Sequence, residues 1–152
     1  MKKKFIKNHL IEHKKTFLSL LNDKNFQKKI EDVTDLLTRS FINSNKLMIA
    51  GNGGSAADAQ HIAAEFIGKL NLKRKALPAI ALNTDTSILT SISNDYHFSE
   101  IFSRQIEGIG KIDDIFLGIT TSGKSKNILK AIKSAKDKKI KVIILTDKKG
   151  IY

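Results

Sequence analysis

Apolar residues recur along this chain in two rhythms. Near the start, Phe5, Ile6, Leu10, Phe17, Leu18 and Leu21 fall at loosely helical spacing over residues 3–22, until Asn22 and Asp23 interrupt them. Ile30, Val33, Leu36, Leu37 and Phe41 then mark one stripe of a second helix, from about Phe26 to Ile42. Beyond it the rhythm changes. Short apolar runs at Lys46–Ala50, Ala79–Leu82, Ile115–Ile119 and Val142–Leu145 are separated by stretches that predict helices at Ser55–Phe66, Thr86–Ser93, Ser99–Glu107 and Ser125–Lys138. Continuous short apolar strands alternating with helices predict an α/β fold, with a parallel sheet flanked by helices on both faces. No internal repeat, linker or low-complexity segment stands out. The chain therefore reads as a helical N-terminal arm, residues 1–45, followed by one α/β domain, residues 46–152.

Composition narrows the class. At 152 residues with 41% hydrophobic positions, the chain is the size of one domain and can bury a core. With Cys 0 there is neither a disulfide nor a thiolate metal site, which fits a reducing compartment. The opening MKKKFIKNHLIEHKKTFLSLL is basic like a secretion signal, but its longest apolar run is FLSLL, and His13, Lys14 and Lys15 interrupt the stretch. No run approaches the roughly 20 apolar residues of a membrane span. The expectation is a soluble cytoplasmic protein without a membrane partner. Lys+Arg 27 against Asp+Glu 15 gives a formal charge of +12, which raises nucleic-acid binding as a possibility. The lysines are spread over the polar faces of the helices, however, and with Trp 0 and Tyr 2 there is no aromatic–basic interleaving. No nucleic-acid partner is expected, although a positive field attracts a phosphorylated substrate.

In parallel α/β sheets, ligands sit at the carboxyl ends of the strands. Three strand ends here carry small polar residues: GNGGS, LNTD and TTSGKS. Residues 118–125, GITTSGKS, also match the pattern of a nucleotide-binding P-loop. That reading fails on local chemistry. Gly118 lies inside an apolar run, and β-branched Ile119 and Thr120 extend the strand, leaving only TSGKS as loop. As an anion site the segment still makes sense: the Ser122 and Ser125 hydroxyls and the N–H groups of a helix N-terminus accept a phosphate.

The second constellation is GNGGSAADAQHIAAEFIG, residues 51–68. Its glycines let a ligand approach closely, and Ser55 is a good cap for the helix. Asp58, His61 and Glu65 share one face of that helix. On spacing alone, a His–Glu pair four apart is also what a surface hydrogen bond looks like. Beginning at a phosphate-friendly loop, it suits proton transfer on a phosphorylated compound.

Together, GNGGSAADAQHIAAEF, LPAIALNTDTSILTSISNDYHFSEIFSRQIE and DIFLGITTSGKSKNILKAI resemble the phosphoheptose isomerases of the SIS (sugar isomerase) family of phosphosugar-binding domains. The likeness runs in order from about Phe5 to the end. It implies an SIS-type three-layer α/β fold and the conversion of sedoheptulose 7-phosphate to glycero-manno-heptose 7-phosphate through an enediol, in heptose biosynthesis for bacterial surface polysaccharide. By the same resemblance Glu65 is the catalytic base, and His61 and Glu65 are ligands of one zinc ion per subunit. Asn52, Gly53, Gly54, Ser55, Glu65, Asn94, Asp95, Thr120, Thr121, Ser122 and Ser125 would bind the substrate. The family forms homotetramers with active sites shared between subunits.

One departure tempers these expectations. The family pattern continues for roughly forty residues, through another strand and a helix bearing a Gln and a His that complete the zinc site. This sequence ends at TDKKGIY, so the domain reads as shortened at its C-terminal end, with poor folding or little isomerase activity expected. His9 and His13, among lysines, read as exposed, and His97 as a loop residue. The alternative is a non-catalytic SIS protein of the DiaA type that binds the bacterial replication initiator. DiaA-type proteins have a small non-acidic residue at the position of Glu65, which is retained here.

Overall fold

The computed structural model describes residues 2–147 and Gly150. They form two compact units, Met1–Leu36 and Leu37–Tyr152. The first holds α1 (Lys2–Asn22) and most of α2 (Lys24–Ile42). The break falls at Asp23, whose carboxylate accepts from the Phe26 N–H at 2.9 Å and so caps the second helix. His9 and His13 are exposed on α1.

The second unit contains β1 (Leu47–Gly51), α3 (Gly54–Ile67), β2 (Ala79–Ala81) and α4 (Thr86–Asp95). A 3₁₀ turn (Phe98–Glu100), α5 (Ser103–Ile109), β3 (Ile115–Thr120), α6 (Lys126–Asp137) and β4 (Lys141–Thr146) follow. The four strands are parallel in the order β2-β1-β3-β4. Met48, Ala50 and Phe116 face a core shared with Ile101, Phe102, Ile106, Ile128, Ala131 and Ala135, so α5 and α6 cover that face. The alternate residues Leu47, Ile49, Ile115 and Ile119 are also buried, on the face covered by α3.

Two local expectations need correction. The expected helix Ser99–Glu107 is divided into the 3₁₀ turn and α5. His97 causes the early start: its Nδ1 accepts from the Ser99 N–H at 3.0 Å and lies 3.1 Å from the Ser99 hydroxyl. Ser55 does not cap α3 either. The cap is Gly53 at φ 56, with no side-chain hydrogen bond. The cap falls two residues earlier, where Gly51 runs close under the helix: a Cβ on Gly51 would stand 2.4 Å from the Ser55 carbonyl oxygen.

At the opposite, amino end of the sheet, the buried Asp114 carboxylate receives the Lys46 N–H (2.9 Å), the Lys46 ammonium (2.5 Å) and the Lys111 N–H (2.7 Å). This fixes the starts of β1 and β3 side by side, so their register also brings their far ends level. Gly51 pairs with Ile119 there.

Candidate functional site

From β1 the chain passes to β2 on one side, then returns past β1 to β3 on the other. The switch point, where an open parallel sheet leaves a crevice, therefore lies between the carboxyl ends of β1 and β3. Both phosphate-type loops leave the sheet there: GNGGS follows β1 and TTSGKS follows β3. Gly118 is confirmed as a strand residue, paired with Ala50 and Ile144, with Ile144 and Ile128 side chains where a Cβ would stand. The P-loop pattern is thus not a P-loop in three dimensions.

The second loop is short and lined with hydroxyls. Thr120, buried at the end of β3, places its Oγ1 3.2 Å from the Ser125 Oγ. Ser125 is the residue before α6, yet its side chain makes no capping bond, so the helix N-terminus and the hydroxyl both face the loop. The Ser122 hydroxyl accepts from the Lys124 N–H at 3.2 Å, and Thr121 and Ser122 are exposed.

In the first loop, the Ser55 N–H reaches the Asn52 carbonyl at 3.0 Å and the Ala56 N–H the Gly53 carbonyl at 3.1 Å. Gly53 and Gly54 are exposed, and a Cβ on either would meet nothing within 4 Å. The loop is gripped from both sides. The Asn83 side chain donates to the Gly51 carbonyl at 2.7 Å, and Asn52 exchanges two side-chain hydrogen bonds with Asn127, at 3.0 and 2.8 Å. Neither Asn83 nor Asn127 is apparent as a site residue from motif reading. Asn127 carried a signal nonetheless: it lies four and eight residues before Ala131 and Ala135 on the buried stripe of α6, a polar residue at a core position.

His61 and Glu65 meet on α3 as expected, with Nε2 to Oε1 3.8 Å; the imidazole is largely exposed and the carboxylate about one third exposed. Asp58 on the same face is exposed. The helix does not bring this pair to its own loop. Ten residues separate Ser55 from Glu65, about 15 Å along the axis at 1.5 Å per residue. The Phe66 carbonyl receives the Leu77 N–H at 3.0 Å, two residues before β2 begins, so Glu65 stands at the amino end of the sheet. Arg74 holds that end of α3, donating to the backbone carbonyls of Glu65 (2.8 Å) and Phe66 (2.8 Å).

Asn94 and Asp95 are exposed at the end of α4, joined to each other at 2.9 Å, and no hydrogen bond among the described residues ties them to either loop. As a metal centre the donor chemistry is half suitable. Imidazole and carboxylate are good zinc ligands, but zinc takes at least three protein ligands, and no group of three His, Cys, Asp or Glu is assembled among the described residues. A cleft of about 570 Å³ lies elsewhere, between β2, α4 and α5, and no residue of GNGGS or TTSGKS lines it.

Comparison with known proteins bears on the family and the fold. Residues 13–147 match the family model described as SIS domain. The chain is 50% identical to a phosphoheptose isomerase of Synechocystis sp. over 140 residues, covering 92% of this chain and 72% of that protein. It is 47% identical to that of Sulfurimonas denitrificans over 148 residues, covering 97% and 76%. Among solved structures, the phosphoheptose isomerase from Francisella tularensis superposes with a TM-score of 0.92 at 34% identity, covering 99% of this chain and 78% of that one. The enzyme from Neisseria gonorrhoeae superposes with a TM-score of 0.87 at 37% identity, covering 96% and 75%.

Proposed function

The chain belongs to the phosphoheptose isomerase family of SIS-domain proteins, and from that premise we propose that it acts on sedoheptulose 7-phosphate as a ketose–aldose isomerase. The observation that carries this reading is the convergence of the glycine loop and the hydroxyl loop on the crevice between β1 and β3. Thr120, Thr121, Ser122 and Ser125, with the N-terminus of α6, hold the phosphate; Asn52, Gly53, Gly54 and Ser55 accommodate the sugar chain. Asn94 and Asp95 meet its hydroxyls.

The reaction moves one proton from C1 to C2 and one between the two oxygens, so it needs no net oxidant. Glu65 takes the C1 proton and returns it at C2 across the enediol, provided its carboxylate lies within hydrogen-bond reach of both carbons. Its own loops are about 15 Å away along α3. The reading therefore requires a homo-oligomer, a tetramer in this proposal, in which the Glu65 of one copy serves the loops of another. His61 and Glu65 would contribute two ligands to a zinc ion. Bound there, such an ion would supply polarisation of the sugar carbonyl, and no step above depends on it. The product heptose phosphate serves bacterial surface polysaccharide. No described helix is long and apolar enough to cross a membrane, and the cytoplasm is the compartment this reading assigns.

The test is direct. Sedoheptulose 7-phosphate is titrated into the protein by calorimetry, and its C1 proton is followed by NMR in deuterated water. Saturable binding with loss of the C1 signal, abolished in Glu65→Gln, supports the reading. Binding of inorganic phosphate without any preference for the heptose phosphate would sink it.

A further inference from the structure

The reciprocal amide bonding of Asn52 with Asn127 takes no part in the proton transfer above, yet it spans the crevice where the sugar phosphate is proposed to bind. Asn52 belongs to the loop leaving β1, and Asn127 to the first turn of α6, two residues beyond the loop leaving β3. Each side chain donates to the oxygen of the other, at 3.0 and 2.8 Å. Asn127 is only 3% exposed, and its Oδ1 also receives the Ile128 N–H at 3.0 Å, so its orientation is fixed from its own helix. Such a buried, satisfied polar contact admits few alternative geometries.

We infer that Asn127 is a positioning residue which acts through Asn52 to set the separation of the two loops, and thereby the length of sugar phosphate that fits between them. The pair is neutral and does not alter the field that the loops present to a phosphate dianion. It also makes the first loop rigid where glycine would otherwise leave it loose: Asn83 holds Gly51 on the β2 side and Asn127 holds Asn52 on the β3 side. Motif comparison assigns Asn52 to substrate contact. Here one N–H and one lone pair of its amide are already committed to Asn127, so its larger effect is on loop position. This inference rests on the proposed use of the two loops for one ligand.

The experiment compares Asn127→Leu, Asn52→Leu and the double variant by calorimetry with two probes, sedoheptulose 7-phosphate and inorganic phosphate. The expected result is at least a tenfold loss of heptose phosphate affinity in each single variant and no further loss in the double, because the two act as one unit. Inorganic phosphate, held by the second loop alone, should change less than twofold. Thermal melts identify the folded variants; should Asn127→Leu not fold, Asn127→Ser replaces it with the same expectation. Heptose phosphate affinity within twofold of wild type in the Asn127 variant overturns the inference. So does a double-variant loss equal to the product of the singles, which would make Asn52 an independent contact. If the unaltered protein binds neither probe, the functional reading itself falls, and this inference with it.

Discussion

Ser55 and Glu65 lie on one helix and one chain, yet about 15 Å separates them along its axis, one at the carboxyl end of the sheet and the other at the amino end. A seven-carbon phosphate cannot touch both loops and that carboxylate within a single copy if the helix stays whole. This predicts complementation. Glu65→Gln and Ser125→Ala proteins, each impaired alone in C1 proton exchange, should recover a measurable fraction of wild-type exchange when unfolded together and refolded as a mixture. Mixtures no better than the average of the separate proteins would mean that each site is built within one chain.

The glycines of the first loop separate folding from binding. A Cβ on Gly51 would stand 2.4 Å from the Ser55 carbonyl oxygen, a backbone atom that cannot move without the start of α3. A Cβ on Gly54, the first residue of α3, meets nothing within 4 Å. Gly51→Ala should therefore lower stability by about 1–3 kcal/mol. Gly54→Ala should leave it unchanged or raise it by up to about 1 kcal/mol, since alanine is the better helix former. If sugar binds against that open face, Gly54→Ala should still weaken heptose phosphate binding at least fivefold. Urea melts and calorimetry read the two quantities separately.

The alternation of apolar runs with helical stripes was enough to place every strand within about two residues. β1 and β3, buried along their length, leave no polar positions to blur their ends, and β2 and β4 still carry continuous apolar runs although each lies at an edge of the sheet. It also placed Thr120 in the strand and removed the P-loop reading, since β-branched Ile119 and Thr120 extend the backbone. What escaped depends on contacts between distant segments. The Asn52–Asn127 pair joins residues 75 apart in sequence, and its only local trace is a polar residue on the buried stripe of α6. The position of Glu65 was legible but needs a different question: sharing a helical face says nothing of distance along the axis. The early start of the Ser99–Glu107 segment turns on the His97 ring accepting the Ser99 N–H, a local contact without periodic signature.

Asp114 is the fastening at the amino end of the sheet, away from the two loops. Its carboxylate is buried and takes three donors from Lys46 and Lys111, which sets β1 against β3. Asp114→Ala strands the Lys46 ammonium and two backbone N–H groups, and should cost about 3–5 kcal/mol, the usual loss when one partner of a buried pair is removed. Chemical denaturation measures this. Because the register of the loops depends on the same strands, binding of heptose phosphate should weaken as well, even though Asp114 lies at the opposite end of the sheet. A loss below about 1 kcal/mol would show that the strands hold their register without it.

Glu100 links the 3₁₀ turn to α6, and its ionisation gives a pH signature unrelated to the site. The hydrogen bond from Lys130, and then that from the Ser103 hydroxyl, hold its carboxyl below the ordinary value of 4.5. A carboxyl whose folded pKa is depressed stabilises the fold above its unfolded pKa, and the contribution disappears as pH falls through the folded value. The pair is partly exposed, so the effect at pH 7 should stay below about 1 kcal/mol. Glu100→Gln keeps an acceptor for Ser103 but has no charge for Lys130. Its stability deficit should be constant from pH 7 to pH 6 and vanish well below pH 4, where both proteins are neutral at this position. Urea midpoints measured at each pH decide between charge and shape: a deficit that persists unchanged in acid would mean that Glu100 acts by packing alone.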